Sequence, residues 1–249
     1  MTRYFVHLAY KGTNYHGWQY QPNAITVQET LNKAFSLLLS EEINLTGAGR
    51  TDTGVHARNF FAHFDSNHSD LQHNNQIVYK LNCFLPDDIQ IFGLYKMDQN
   101  AHARFDATER EYKYYISRTK NIFSSDYCWQ FYPELDIAEM NIAASTLLQY
   151  TDFTSFSKLH TDVMTNNCKV SEAKWNVEDN LLVFKIIADR FLRNMVRSLV
   201  GTLIEVGNGK RTTNDFEKLI LTKDRTKAGP SVPAKGLFLE NIRYPYSII

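Results

Sequence analysis

Cysteine is scarce in this chain of 249 residues: Cys83, Cys128 and Cys168 lie far apart, odd in number and without any C-x-x-C spacing. That pattern excludes a disulfide framework and a thiolate metal site. No charge is in excess, because 27 Lys and Arg meet 27 Asp and Glu. Whole-chain electrostatics therefore announce no polyanionic partner, and any such partner must be met by a local patch. Long apolar runs are missing too. The densest, LLVFKIIA at 181 to 188, is too short to cross a bilayer and carries Lys185. The start, MTRYFVHLAY, has neither an apolar leader core nor a cleavage pattern. The expectation is a cytoplasmic protein with no membrane association. There is no Walker loop, no G-x-G-x-x-G after a strand and no G-x-S-x-G, so nucleotide-cofactor and serine-hydrolase chemistries have no support. His56, His63 and His68 lack zinc-site spacing, and no metal is expected. His7 and His63 fall inside strand patterns and read as structural.

Hydrophobic content of 43% and charged content of 22% fit an ordinary globular protein. The length suits one large domain or two small ones, either with a real core. Fourteen Tyr and 16 Phe make it rich in rings, and rings that stay exposed can stack on bases.

Periodicity sets out the elements. TRYFVHLAY alternates, with Tyr4, Val6, Leu8 and Tyr10 on one face, and Lys11-Gly12 ends the strand. Thr26-Val-Gln-Glu29 reads as a capping box opening a helix through Leu38. Strands are expected at 43 to 48, 60 to 64 and 89 to 97, and a helix at 74 to 83. A polar stretch from about 98 to 109 suggests a boundary, giving halves 1–103 and 104–249. The second half repeats the pattern. REYKYYISR is a strand, a second capping box at Asp136 opens a helix to about 150, and 172 to 188 form a hairpin turning at Glu178-Asp179-Asn180. A helix is expected from about Phe191 to Val206, a short one near 213 to 221, and a last strand near 237 to 244. This mixture is α+β: two α/β halves with largely antiparallel sheets flanked by helices.

The stretch GAGRTDTGVHAR, residues 47 to 58, concentrates unusual residues. Asp52-Thr53-Gly54 is the aspartic-protease triplet, but that mechanism needs two carboxylates sharing a proton. Only one such triplet exists here, and Arg50 beside it favours a fully ionised aspartate. On the triplet alone a structural turn is the simpler reading. The wider string differs: glycines flank Arg50 and Asp52 in a loop after a strand, which suits close approach to a ligand. In FLRNMVRSLVGTLIEVG the apolar residues cover one broad face, and Arg190, Arg193 and Arg197 fall on the opposite ridge, with Gly201 continuing it. A solvated basic face is the plain reading. Arg197 could instead serve as the cationic partner that a half-buried aspartate needs. In AHARFDATEREYKYYISR, Arg104, Arg110, Lys113 and Arg118 interleave with Phe105, Tyr112, Tyr114 and Tyr115, a pattern that suits RNA as well as an amphipathic core strand.

Taken together, these strings resemble the TruA-type tRNA pseudouridine synthases over nearly the whole chain. The resemblance is carried, in order, by YKGTNYHGWQYQP with VQETL, GAGRTDTGVHAR, HARFDATEREYKYYI, DFTSF, FLRNMVRSLVGTLIEVG and AGPSVPAKGLFL. It implies two α/β halves meeting in a basic cleft, a homodimer, and conversion of uridines at tRNA positions 38, 39 and 40 to pseudouridine without cofactor or metal. It implies Asp52 as the catalytic nucleophile, Tyr112 against the target base, Arg197 paired with the catalytic carboxylate, and Arg50 at the flipped nucleotide. Arg58, Arg104, Arg190 and Arg193 are the further candidate tRNA contacts. The segment SKLHTDVMTNNCKVSEAKW after DFTSF holds fewer arginines than a strongly basic loop would.

Overall fold

The computed structural model describes residues 1–158 and 165–248. The remaining residues, which include 159–164 of the arginine-poor stretch after DFTSF, lie outside it. By contacts the described chain divides into two compact units, Met1–Thr108 with Leu239–Ile249, and Glu109–Phe238. Nine strands and five α-helices occur among the described residues, and the fold is α+β.

In the first unit β1 (Thr2–Tyr10) lies between β3 (His56–Ser66) and β4 (Ile89–Met97), antiparallel to both. Tyr4 faces Phe64 and Leu8 faces Phe60 across the β1–β3 ladder. The expected alternation holds, with Tyr4, Val6, Leu8 and Tyr10 all buried. Phe5, on the opposite face, is buried as well, edge-on to Tyr244 and Tyr246 of the chain's last stretch. Of this last stretch, residues 239–243 belong to β9 (Leu237–Arg243), which flanks β3; Asn59 Nδ2 donates to the Glu240 carbonyl at 2.9 Å. Both strand histidines are packed: His7 bonds Asn59 and stacks on Phe61, and His63 Nδ1 accepts from Ala103 N–H.

Helix α1 (Val27–Leu39) buries Val27, Leu31, Ala34, Phe35 and Leu39, and Phe35 meets Phe64 edge-on at 5.1 Å. Its start is half of the expected capping box. Thr26 accepts from Glu29 N–H at 3.3 Å, but the Glu29 carboxylate is held by Lys33 one turn on, at 2.6 Å. The expected strand at 43 to 48 shrinks to β2 (Thr46–Gly47), paired with β3. The cause is local. Side chains of α1 take the backbone groups a strand neighbour would need: Ser36 Oγ accepts from Ile43 N–H, Asn32 Oδ1 accepts from Leu45 N–H, and Gln28 Nε2 donates to the Leu45 carbonyl. Helix α2 (Asn75–Phe84) packs beside α1 and β4.

In the second unit β5 (Glu109–Ser117), β8 (Leu181–Ala188) and β7 (Val170–Glu178) form an antiparallel series, and β6 (Trp129–Gln130) adds to β5 in parallel. The β7–β8 hairpin turns at Asp179 and Asn180, both left-handed with φ of 46° and 66°, the conformation a tight hairpin turn requires. Helix α3 (Ile137–Thr146) packs on β7, and α4 (Met195–Gly207) and α5 (Thr213–Thr222) pack on α3. Met195, Leu199, Val200 and Leu203 of α4 are fully buried. Burial of such side chains contributes roughly 1.5–3 kcal/mol each.

Candidate active site

In the first unit, Arg50 and Asp52 share the loop between β2 and β3. Arg50 is exposed and Asp52 half-buried. The loop is moulded against residues 10 to 18. Tyr10 and Thr51 hydroxyls bond at 2.9 Å. Trp18 N–H donates to the Thr51 carbonyl at 3.4 Å and Gly54 N–H to the Tyr15 carbonyl at 3.3 Å. Gly12 N–H donates to His56 Nδ1 at 3.1 Å, just past the loop. Within the loop, Val55 N–H closes a turn on the Asp52 carbonyl at 3.2 Å. The wall behind it is stiff. Trp18 is buried with its ring 4.2 Å from Phe60, and the Tyr15 hydroxyl donates to Asp88. Burial, and then the bond to Asp88, push the Tyr15 phenol up, so it stays protonated.

Gly17 makes this fit feasible. Its φ is +87°, and a Cβ there would run into the Thr51 carbonyl oxygen and come within 3.3 Å of the Asp52 carbonyl carbon. The mould residues Tyr10, Tyr15, Gly17 and Trp18 were not singled out by sequence reasoning. Their signal was present in YKGTNYHGWQYQP, but hydrogen bonds to backbone leave no charge pattern to detect.

Arg58 is exposed on β3, 3.7 Å from the Glu240 carboxylate. Arg104 is exposed in the segment after β4, its guanidinium 5.7 Å from the centre of the Phe105 ring.

The second unit carries the other candidates. Tyr112 lies on β5 opposite Ile186. It is only half-buried, unlike Tyr114 and Ile116 farther along the strand, which are fully buried. Its ring meets Phe191 edge-on at 5.1 Å and 86°. Arg197 is half-buried in the first turn of α4. Its Nε donates to the Val232 carbonyl at 2.8 Å while its own carbonyl accepts from Val232 N–H at 3.2 Å. The segment 229 to 233 is thereby tied to α4 and, through the Tyr114 hydroxyl on the Pro233 carbonyl at 2.8 Å, to β5. Gly201 permits that contact, since a Cβ there would collide with the Pro230 carbonyl. Burial raises the Tyr114 phenol against the opposing pull of Arg197.

The expected arginine ridge is corrected here. The helix begins at Met195, not near Phe191, because Asn194 is left-handed at φ 65° and cannot sit inside a right-handed helix. Asn194 Nδ2 is held at the Ser231 hydroxyl, 2.5 Å away. Arg190 and Arg193 therefore precede α4, and only Arg197 of the three rides on it. Arg193 is exposed and Arg190 half-buried. Among the described residues, no group of three or more His, Cys, Asp or Glu is placed to hold a metal ion, and no helix is long and apolar enough to cross a membrane.

The chain also resembles known proteins in sequence. The family described as tRNA pseudouridine synthase matches residues 143–245. At full length, the chain is 54% identical to the tRNA pseudouridine synthase A of Bacteroides thetaiotaomicron, over 100% of the chain and 93% of that protein. It is 53% identical to the protein of the same name from Bacteroides fragilis, over 99% and 98%. The same-named protein of Thermoanaerobacter pseudethanolicus is 40% identical, over 98% and 100%. The fold and these relatives define a pseudouridine synthase, an isomerase. The chain belongs to the tRNA pseudouridine synthase A family.

Proposed function

We propose that the protein isomerises uridine to pseudouridine at positions 38, 39 and 40 of the tRNA anticodon stem-loop, with Asp52 as nucleophile. The reaction breaks the N1–C1′ bond, turns the freed uracil and joins C5 to C1′. The proton on C5 is lost and N1 gains one, so atoms balance without oxidant, hydrolysis or cofactor. The observation that carries the reading is the Asp52 loop. Its backbone is fastened at Thr51, Gly54 and Val55 while the carboxylate-bearing residue stays half-exposed. A carboxylate held this way is suited to covalent attack, and fixed geometry contributes much of the rate in such steps.

The target uridine must leave the stack, at a cost of a few kcal/mol. Arg50 acts at the flipped nucleotide, and Tyr112 offers its ring to the base. Arg197 supplies the counter-charge that the family pattern assigns to it. Arg58, Arg104, Arg190 and Arg193 contact the tRNA backbone. The first half of the chain, 1–103, carries the aspartate loop, and the second, 104–249, the tyrosine and α4. The protein works as a homodimer in the cytoplasm.

The test is incubation with an unmodified tRNA transcript and mapping of pseudouridine, for wild type, Asp52→Ala and Asp52→Asn. Pseudouridine at 38 to 40 is expected from wild type and none from either variant, with tRNA binding retained. Turnover by a clean Asp52→Ala preparation would refute the nucleophile, and tRNA binding without product by wild type would favour a silent RNA-binding protein.

A further inference from the structure

One exposed ring in the first unit is mounted with unusual care. Phe105 is 75% exposed, yet the segment that carries it is fixed at nearly every residue. Arg3 Nη1 donates to the Ala101 carbonyl at 2.9 Å while its other nitrogens clasp Asp65. His102 N–H donates to Asp106 Oδ2 at 2.8 Å, and the Tyr246 hydroxyl donates to the same oxygen at 2.8 Å. Ala103 is gripped from both sides: its N–H donates to His63 Nδ1 at 3.1 Å, and its carbonyl accepts from the Tyr244 hydroxyl at 2.6 Å. His102 Nδ1 then accepts both Arg104 N–H and Phe105 N–H, at 3.1 and 3.2 Å. That leaves the imidazole against Phe105, tilted by 31° with 4.2 Å between centres, and His63 edge-on behind it at 4.5 Å. The Arg104 guanidinium sits 5.7 Å from the Phe105 ring centre.

A single exposed phenylalanine is ordinary. One backed by an imidazole, flanked by a guanidinium and set on a segment with little freedom is a pre-formed stacking surface, because the ordering cost of presenting it is already met. Its neighbours favour RNA over protein: Arg104 and Thr108 are exposed and polar, and the apolar residues nearest in the chain, Ala103 and Ala107, are buried. Flat rings beside arginine are how proteins hold unpaired bases. We propose that Phe105 stacks on an unpaired base of the RNA substrate, with Arg104 on the adjoining phosphate. This rests on the reading that the chain acts on tRNA and adds a base contact outside the reacting uridine's own residues.

The test measures binding of one unmodified tRNA transcript to wild type, Phe105→Ala, Phe105→Leu and Phe105→Trp, alongside thermal melts, light scattering for oligomeric state, and product formation by wild type. Because the ring is exposed, all variants should melt like wild type. Phe105→Ala and Phe105→Leu should bind about 5- to 150-fold more weakly, the range of one base–aromatic stack, and Phe105→Trp should bind within a few-fold of wild type. Equal affinity across the four proteins overturns the proposal. So does a change of oligomeric state with RNA affinity intact, which would make Phe105 a contact between copies of the chain. If wild type forms no pseudouridine but Phe105→Ala still loses affinity, the catalytic reading fails and the base contact stands. An active wild type whose affinity ignores Phe105 sinks the contact alone.

Discussion

Replacing Gly17 with alanine tests whether residues 10 to 18 place Asp52. Two costs arise. The first is conformational: φ of +87° is left-handed, and an L side chain there costs roughly 1–2 kcal/mol. The second is steric. The new Cβ would overlap the Thr51 carbonyl oxygen and press on the Asp52 carbonyl carbon. Restoring an ordinary contact requires the carbonyl to retreat by roughly 1 Å. That movement strains the Trp18–Thr51 hydrogen bond and is passed directly to Asp52. A displacement of about 1 Å near a reacting group can cost about 10²-fold in rate.

Two other glycines separate the effects. Gly209 has φ of +75° with open space around it, so Gly209→Ala carries the conformational cost alone. Gly49, inside the candidate loop, has nothing within 4 Å of where a Cβ would sit and no left-handed φ, so Gly49→Ala carries neither cost. Gly209→Ala should melt about 2–8 °C below wild type, from roughly 2–4 °C per kcal/mol at this chain length, with unchanged single-turnover rate. Gly17→Ala should melt at least as low and react about 100-fold more slowly under saturating enzyme. Gly49→Ala should melt like wild type. If Gly17→Ala loses stability as Gly209→Ala does but reacts at the wild-type rate, the mould does not set the position of Asp52.

Tyr112→Phe should fold and bind tRNA like wild type yet react about 10²–10⁴-fold more slowly, if its hydroxyl moves the C5 proton. Wild-type single-turnover kinetics would leave only a stacking role, and a collapse of the melting temperature would make Tyr112 a core residue. His63 gives a pH signature. Burial first, then the nearby charges of Arg3 and His102, outweigh Asp65 and Asp106 and lower its pKa from the usual 6.5 to about 4. Between those values the unfolded chain binds the proton and the folded one does not, so His63 contributes stability that is present above about pH 6.5 and lost as pH falls towards 4. His7 and His102 are lowered in the same direction. Equilibrium unfolding across this window should show His63→Gln, whose amide can still accept from Ala103, with a shallower loss than wild type; identical pH profiles would contradict the assignment.

Much of the fold was legible because its periodic segments are also its packed ones. Tyr4, Val6, Leu8 and Tyr10 alternate in the sequence and are buried, and the Asp179-Asn180 turn sits where the polar interruption fell. The failures share a cause: another element supplies what the local pattern lacks. Residues 43 to 48 have strand composition, but α1 side chains capture their backbone groups. The apolar spacing around Leu192 continues into α4 in the sequence, yet Asn194 turns left-handed under the hold of Ser231, 37 positions away. Residues 239 to 248 pack with the first 108 through contacts such as Asn59 to Glu240, which no window of neighbouring residues can announce.

The candidate site divides along the same line. Asp52, Arg50, Tyr112 and Arg197 could be proposed from the sequence because reacting and charged groups act through side chains, and side-chain identity is what a sequence prints. What steadies them is mostly backbone. Thr51 and Val232 offer carbonyls, Gly54 and Gly12 offer N–H groups, and Gly17 and Gly201 contribute only the absence of a Cβ. Every non-proline residue has the same backbone donor and acceptor, so their use leaves no trace in composition or spacing. Phe105 belongs with these. As a letter it is one of 16 phenylalanines, and it becomes informative only when His102, Ala103 and Asp106 are seen holding its segment still. Residues that react can be found by type, whereas residues that position must be found by contact. The Gly17 and Phe105 variants follow from contacts alone, so they test the part of the site that the sequence did not disclose.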